Sequence, residues 1–259
     1  VSILPSNYED EVLADCTDDL NRAATGFDSG LEDTKLALTA ISDDGFVVET
    51  KSAYAPEMLT AFIKLNGATV GVVANRTKVY DDNMEVVAEY EPKLTANGCD
   101  KAAQFVYFCD DFSIPVLTLT NATGFKACKC QEKRGAKATA RLTYAFASAT
   151  VPKVNVIIGE AFGSAYVTMN SKSIGADIVF ALPTAKVGMM DANAAAKIMY
   201  AKEIEEDASV LAEKTAEYAQ LQGSVTKAAS RGYVDNIVEP VDVRKYVIGA
   251  FEMLYTKRQ

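Results

Sequence analysis

Short apolar runs rich in β-branched residues alternate with longer amphipathic stretches along most of this chain. GFVVET (Gly45 to Thr50), AFIKLNG (Ala61 to Gly67) and TVGVVAN (Thr69 to Asn75) read as strands, and the Asn66-Gly67 pair predicts a hairpin between the last two. Asp100 is placed to cap a helix reaching about Phe112, with Ala103, Phe105, Val106, Phe108 and Cys109 as its apolar stripe. IPVLTLTN (Ile114 to Asn121) is a continuous strand pattern that ends in a turn at Gly124, and a helix is expected from Ala136 to Ala149 before Val151-Pro152. The same grammar then repeats: VNVIIG (Val154 to Gly159), a Gly/Ser turn, a helix through about Ser173, and ADIVFAL (Ala176 to Leu182). Strand–helix–strand units with wholly apolar strands predict an α/β fold around a parallel sheet covered on both faces. Helices are expected over about Ala192 to Gln222, with a break, and over about Val241 to Lys257; Glu205, Glu206, Glu213 and Glu217 read as a solvated face. Residues 1–40 are polar and acidic with little periodicity, so they are expected to be an arm or linker, and residues 41–259 one domain.

Composition narrows the chemistry. The chain has 259 residues, 49% of them hydrophobic, which is enough for a substantial core. Its 26 basic and 35 acidic residues leave a net charge of −9, which argues against a nucleic-acid partner. It contains no histidine. That excludes Ser-His-Asp and Cys-His machinery, a histidine base and histidine-ligated metal. What remains is chemistry run by backbone dipoles, carboxylates, Tyr, Lys, Cys or a carried cofactor. Five scattered cysteines (Cys16, Cys99, Cys109, Cys128, Cys130) read as reduced cytosolic thiols, with Cys128-Lys129-Cys130 too isolated to predict a metal site. No apolar run approaches the roughly 18–20 residues of a membrane span. A cytoplasmic location is expected.

Val154 to Ser173, VNVIIGEAFGSAYVTMNSKS, is the segment with most to say. A buried strand ends and small residues follow at once: Gly159, Ala161, Gly163, Ser164 and Ala165. If a helix begins near Gly163, its first amides lack intrahelical acceptors and point outward, an oxyanion hole that needs no side-chain donor. Equally, small residues here can serve only close helix–strand packing. The G-x-x-x-G-S spacing is not a dinucleotide fingerprint. Asn121 to Phe125, NATGF, is a second strand end, followed by Lys126, Lys129, Lys133 and Arg134. These cations can meet phosphates or simply face solvent.

From Ile41 to the C-terminus the strings YAPEMLTAF, GATVGVVAN, DKAAQFVYFCDDFSIPVLTLTNATGF, ATVPKVNVIIGEAFGSAY, ADIVFALPTAKVGMM and ASRGYVDNIVEP run in one collinear register. Together they resemble the C-terminal, biotin-side half of biotin-dependent acyl-CoA carboxyltransferases, the propionyl-CoA carboxylase β-subunit and decarboxylase carboxyltransferase family. ILPSN, near Val1, is similar to the segment joining the two halves of such proteins, so the chain is expected to be either a fragment or a subunit. The resemblance implies a crotonase-like ββα spiral in a single domain. It implies carboxyl transfer between biotin on a carrier protein and an acyl-CoA, with an acyl-CoA-binding N-terminal half or subunit and other copies of the chain as partners. By residue matching, the Gly163 and Ser164 amides would stabilise the biotin ureido oxygen. Gly124 and Phe125 would shape the opposing wall, Ala165 and Tyr166 would complete the turn, and Val167 and Met190 would line the cleft.

The chain departs from the family around that site. Gly159-Glu160 stands where the family usually has Arg-Lys, Ser164 replaces a second glycine, and Asn121 replaces an Asp. Met190-Asp191-Ala192-Asn193-Ala194-Ala195 lacks two glycines of the family's stretch, and the loop around Gln131 is one residue shorter. Val167 sits where acyl-CoA-selective members often carry Asp, so the acyl group does not follow from the likeness. Two rivals therefore stand beside the enzyme reading. One is a non-catalytic scaffold of the same fold. The other is a stand-alone crotonase-type hydratase or isomerase, which would want paired carboxylates beside the hole.

Overall fold

The computed structural model describes Cys16, residues 18–81 and residues 83–257. A hairpin leads the sheet. Strands β1 (Val47–Thr50), β2 (Met58–Leu65) and β3 (Ala68–Asn75) run antiparallel, and Asn66 and Gly67 turn the chain at φ of 52° and 75°. A small antiparallel pair, β4 (Lys78–Tyr80) and β5 (Val86–Glu89), follows. Beyond β3 the main sheet is parallel: β7 (Val116–Ala122), β9 (Lys153–Phe162), β10 (Ile178–Ala181) and β12 (Asn236–Ile237) follow in spatial order.

Both faces of this sheet are covered, so its strands are buried on both sides. Leu59, Ile63, Val72, Leu117, Val154 and Val156 face one core, closed by helices α1 (Thr34–Ile41) and α9 (Val243–Leu254). Met58, Val73 and Val116 face the other, closed by α2 (Ala96–Asp111) and α3 (Lys129–Ser148). Strand β9 changes partners along its length. Val154 to Ile157 pair with β10, whereas Glu160 to Phe162 pair with β11 (Lys186–Gly188). On its other side the register with β7 slips between Thr120 and Ala122. The sheet is therefore re-aimed at Gly159, and β9 runs directly into the short helix α4 (Gly163–Thr168).

Several boundaries differ from expectation. Helix α2 starts four residues before Asp100, because Thr95 caps it by accepting from the Gly98 amide. Asp100 instead reaches across to α3, pairing with Arg134 and Arg141. The stretch from Ala192 splits into α5 (Ala192–Met199), α6 (Ala201–Glu206) and α7 (Val210–Gln222), with α8 (Val225–Ser230) after it. The four expected solvated glutamates there are exposed.

Residues 1–15 of the expected arm lie outside the described residues. From residue 18 onward the segment is not an arm. Ala24, Phe27, Ala37, Leu38 and Ile41 are buried in the same core as α9, and the boundary at residue 41 falls on the last residue of α1. Thr34, Ala37, Leu38 and Ile41 form a one-sided stripe only eight residues long, too brief to stand out among charges. Those charges are matched as well. Asp33 caps α1 and lies 3.4 Å from Arg76, and the fully buried Arg244 of α9 holds Asp43 at 2.8 Å. Arg22 grips Asp18 at 2.8 Å and donates to the Ala40 and Ser42 carbonyls.

Candidate active site

The Gly/Ser turn forms where β9 gives way to α4. Gly163 adopts φ +57°, in the left-handed region, and a Cβ there would lie 2.9 Å from the Met189 carbonyl oxygen. Only glycine meets both demands without strain. No side chain caps α4. Its leading amides, Gly163 and Ser164, have no acceptor within the helix, and Ser164 is exposed.

The structure brings most of the expected residues together here. Gly124 and Phe125 form β8, which pairs with β6 (Lys93–Leu94) and lies beside α4. Met189 and Met190 follow β11, whose Gly188 is in register with Phe162. Met189 is 80% exposed, Phe125 40% and Met190 38%, so apolar surface lies open beside the turn. The two residues expected to complete the turn point their side chains inward. Ala165 is buried against the α2–α3 core and Tyr166 is buried beside Ile157 and Val179, so both side chains serve packing beneath the turn. Val167 is half-buried. Burial pushes the Tyr166 phenol up to about 12, which keeps it neutral, and its hydroxyl has no partner among the described residues.

Side-chain amides link the strand ends here, that of Asn75, which sequence reasoning passed over, and that of Asn121, marked there only as a departure at a strand end. Asn75 accepts from the Asn121 amide at 3.1 Å, and Asn121 accepts in turn from the Glu160 amide at 3.1 Å. A Cβ on Gly159 would lie 2.8 Å from the Asn121 carboxamide. At the rim Lys186 pairs with Glu160 at 3.0 Å. The visible signal was asparagine inside or ending apolar strand runs, where that residue is depleted.

The cation run divides. Arg134 is taken by Asp100 and by Asn97, at 3.1 and 3.2 Å, whereas Lys126, Lys129 and Lys133 are exposed. Lys126 borders a cavity of about 310 Å3 with Lys93, Glu57, Asn97 and Gln131. No metal-binding cluster occurs among the described residues, and the Cys130 side chain lies outside them.

Comparison with known proteins decides the family. Residues 5–259 match the carboxyl transferase domain. The chain belongs to the carboxyl transferase domain family. The methylmalonyl-CoA carboxyltransferase 12S subunit of Propionibacterium freudenreichii subsp. shermanii is 37% identical over 231 residues, 88% of this chain and 42% of that protein. Methylmalonyl-CoA decarboxylase subunit alpha of Veillonella parvula is 35% identical over 268 residues, 100% of this chain and 50% of that one. The transcarboxylase 12S crystal structure with hydrolysed methylmalonyl-coenzyme A, described as a hexamer, superposes with a TM-score of 0.85 at 34% identity, covering 95% of this chain and 47% of that one. The β-subunit of geranyl-CoA carboxylase from P. aeruginosa, at 22% identity and a TM-score of 0.72, shares the fold. The fold is crotonase-like, as the resemblance implied. This carboxyl transferase domain thus spans about half the length of the curated relatives it matches.

Proposed function

We propose that this carboxyl transferase domain supplies the biotin side of an acyl-CoA carboxyltransferase cleft, moving a carboxyl group between biotin on a carrier protein and an acyl-CoA. The observation that carries this reading is the β9–α4 turn, where the left-handed Gly163 opens a helix whose first amides have no acceptor within it, beside exposed Ser164 and Met189. A ureido carbonyl is a planar acceptor that gains negative charge as its nitrogen is freed, and paired N–H donors suit it. When bound, biotin supplies the transferable carboxyl group and a nitrogen able to take a proton, which fits a chain with no histidine. The Gly163 and Ser164 amides hold the ureido oxygen. Gly124 and Phe125 face them across the groove, and Met190 with Val167 contributes apolar wall. The acyl-CoA is held by a complementary half or subunit, whose docking covers Met189 and the open groove. Copies of the chain assemble around such pairs.

The test is turnover by the chain assembled with an acyl-CoA-binding half, followed as transfer of labelled carboxyl from methylmalonyl-CoA to free biotin. Ser164→Pro deletes one donor and should lower the rate on the order of 10²–10³-fold, while Ser164→Gly keeps the amide and at least wild-type rate. Circular dichroism checks that each variant is folded. A folded Ser164→Pro protein with full activity would remove the turn from the mechanism.

A further inference from the structure

Along β7 and β9, apolar and polar side chains alternate: Leu117-Thr118-Leu119-Thr120 and Val154-Asn155-Val156. The apolar set faces the α1–α9 core. Thr118, Thr120 and Asn155 point the other way and are completely buried, as are Asn170 and Ser171 just after α4. A polar layer inside a sheet is costly unless its hydrogen bonds are made, and these reach the end of α4. The Thr120 hydroxyl donates to Asn155 Oδ1 at 2.8 Å, and Asn155 Nδ2 donates to the Met169 carbonyl, at the C-cap of α4, at 3.3 Å. One residue on, Asn170 Nδ2 donates to Thr118 Oγ1 at 3.1 Å, and that hydroxyl donates to the Val154 carbonyl at 3.3 Å.

The same segment carries visible cost. Asn170 sits at φ +53°. Of the four buried side-chain polar atoms without a partner among the described residues, two lie between residues 166 and 170: the Tyr166 hydroxyl and Asn170 Oδ1. Strain and unmet polar groups gathered at one place persist where surroundings over-determine the geometry, and they concentrate at functional sites. A six-residue helix has little stability of its own, so its direction depends on what holds its ends. The N-terminal end is set by β9 and by the Met189 carbonyl against Gly163; the C-terminal end is set by this layer.

We infer that Thr120 and Asn155 are positioning residues that aim the Gly163 and Ser164 amides, acting through the Met169 carbonyl from beneath α4. This rests on the reading of those amides as the biotin-side donors. Thr120→Val removes one hydroxyl at constant shape, and Thr120→Ser keeps it. Asn155→Leu removes the amide at near-constant volume.

The experiment combines amide hydrogen exchange with turnover of the chain assembled with its acyl-CoA-binding half. In Thr120→Val and Asn155→Leu, the hydrogen-bonded amides at the end of α4, Val167 to Met169, should exchange at least about tenfold faster while those of β7 and β9 keep their protection. The kcat should fall about 10–100-fold with KM for the acyl-CoA unchanged, and Thr120→Ser should restore both. If Asn155→Leu does not fold, Thr120→Val and Thr120→Ser alone decide. Unchanged exchange in α4 overturns the inference, as does unchanged kcat in a working assembly despite a loosened α4. If the wild-type assembly shows no biotin-dependent turnover, the proposed function falls instead, and α4 exchange alone then upholds or overturns the aiming role.

Discussion

Gly163→Ala is the sharpest probe of the turn, because two independent features oppose a methyl group there. At φ +57° an L-residue with a Cβ costs roughly 1–2 kcal/mol more than glycine. The new Cβ would also stand 2.9 Å from the Met189 carbonyl oxygen, closer than such atoms normally approach. That oxygen belongs to backbone, so relief requires the turn after β11 to shift. Together the two effects place the cost at about 2–3 kcal/mol, within the range for a strained backbone position. A chain of this size loses about 2–4 °C in melting temperature per kcal/mol, so thermal denaturation followed by circular dichroism should drop by about 5–10 °C. Gly124→Ala is the matched control. Its Cβ would meet nothing within 4 Å, and its melting temperature should stay within about 2 °C of wild type, the range for a surface change. Turnover in the assembled enzyme should fall more in Gly163→Ala than its stability loss explains, since the amide it carries is displaced. A Gly163→Ala protein that melts with wild type and turns over normally would refute both the left-handed turn and its role.

Three further outcomes follow from the buried groups. Arg244→Met leaves Asp43 buried without its partner and should cost about 3–5 kcal/mol in urea unfolding, the size expected for breaking a buried ion pair; a loss below about 1 kcal/mol would return residues 18–45 to the status of an arm. Lys101 is buried with a single 3.3 Å hydrogen bond to the Ala55 carbonyl, and desolvation pulls its ammonium down to about 8. Since its folded value lies below its unfolded one, stability should rise from about pH 8 to pH 10.5, by at most about 1.4 kcal/mol per pH unit, and Lys101→Met should remove that component from the pH profile. Burial pushes the Cys99 and Cys109 thiols up to about 12, so iodoacetamide at pH 8 should modify neither in the folded chain and both after unfolding; peptide mass spectrometry reads this directly.

What the sequence revealed of this fold, and what it concealed, divides by the distance over which residues act. The β2–β3 hairpin was legible because Asn66-Gly67 and the flanking alternation are neighbours, and the buried strands were legible because both faces are covered. The start of α2 was misplaced because Asp100 is a good cap by type, yet its carboxylate is used 34 and 41 residues away by Arg134 and Arg141. The core role of residues 24–43 was hidden because acidic groups there find arginines only in the fold, Asp33 with Arg76 and Asp43 with Arg244. The Gly163–Ser164 turn could be found from small residues after a strand. The asparagines supporting it could not, since Asn75 and Asn121 act across 46 and 39 residues of chain.

Two of the positions where the chain departs from the family, Gly159 with Asn121 and Glu160, find partners in the fold. Gly159 leaves room for the Asn121 carboxamide, which a Cβ at that position would press to 2.8 Å, and that carboxamide accepts from the next amide along β9. Asn121 and Gly159 thus fit each other, a short neutral contact in which the carboxamide occupies the space a side chain at 159 would need. Glu160 brings a negative charge to the rim, and Lys186, on the adjacent strand β11, pairs with it. Drift in an idle scaffold would leave an unmatched charge or an unfilled gap at such positions. Here side-chain and main-chain groups meet at hydrogen-bonding distance, while the glycine with no tolerable substitute, Gly163, is retained. Neither substitution therefore leaves an unfilled gap or an unmatched charge beside the turn.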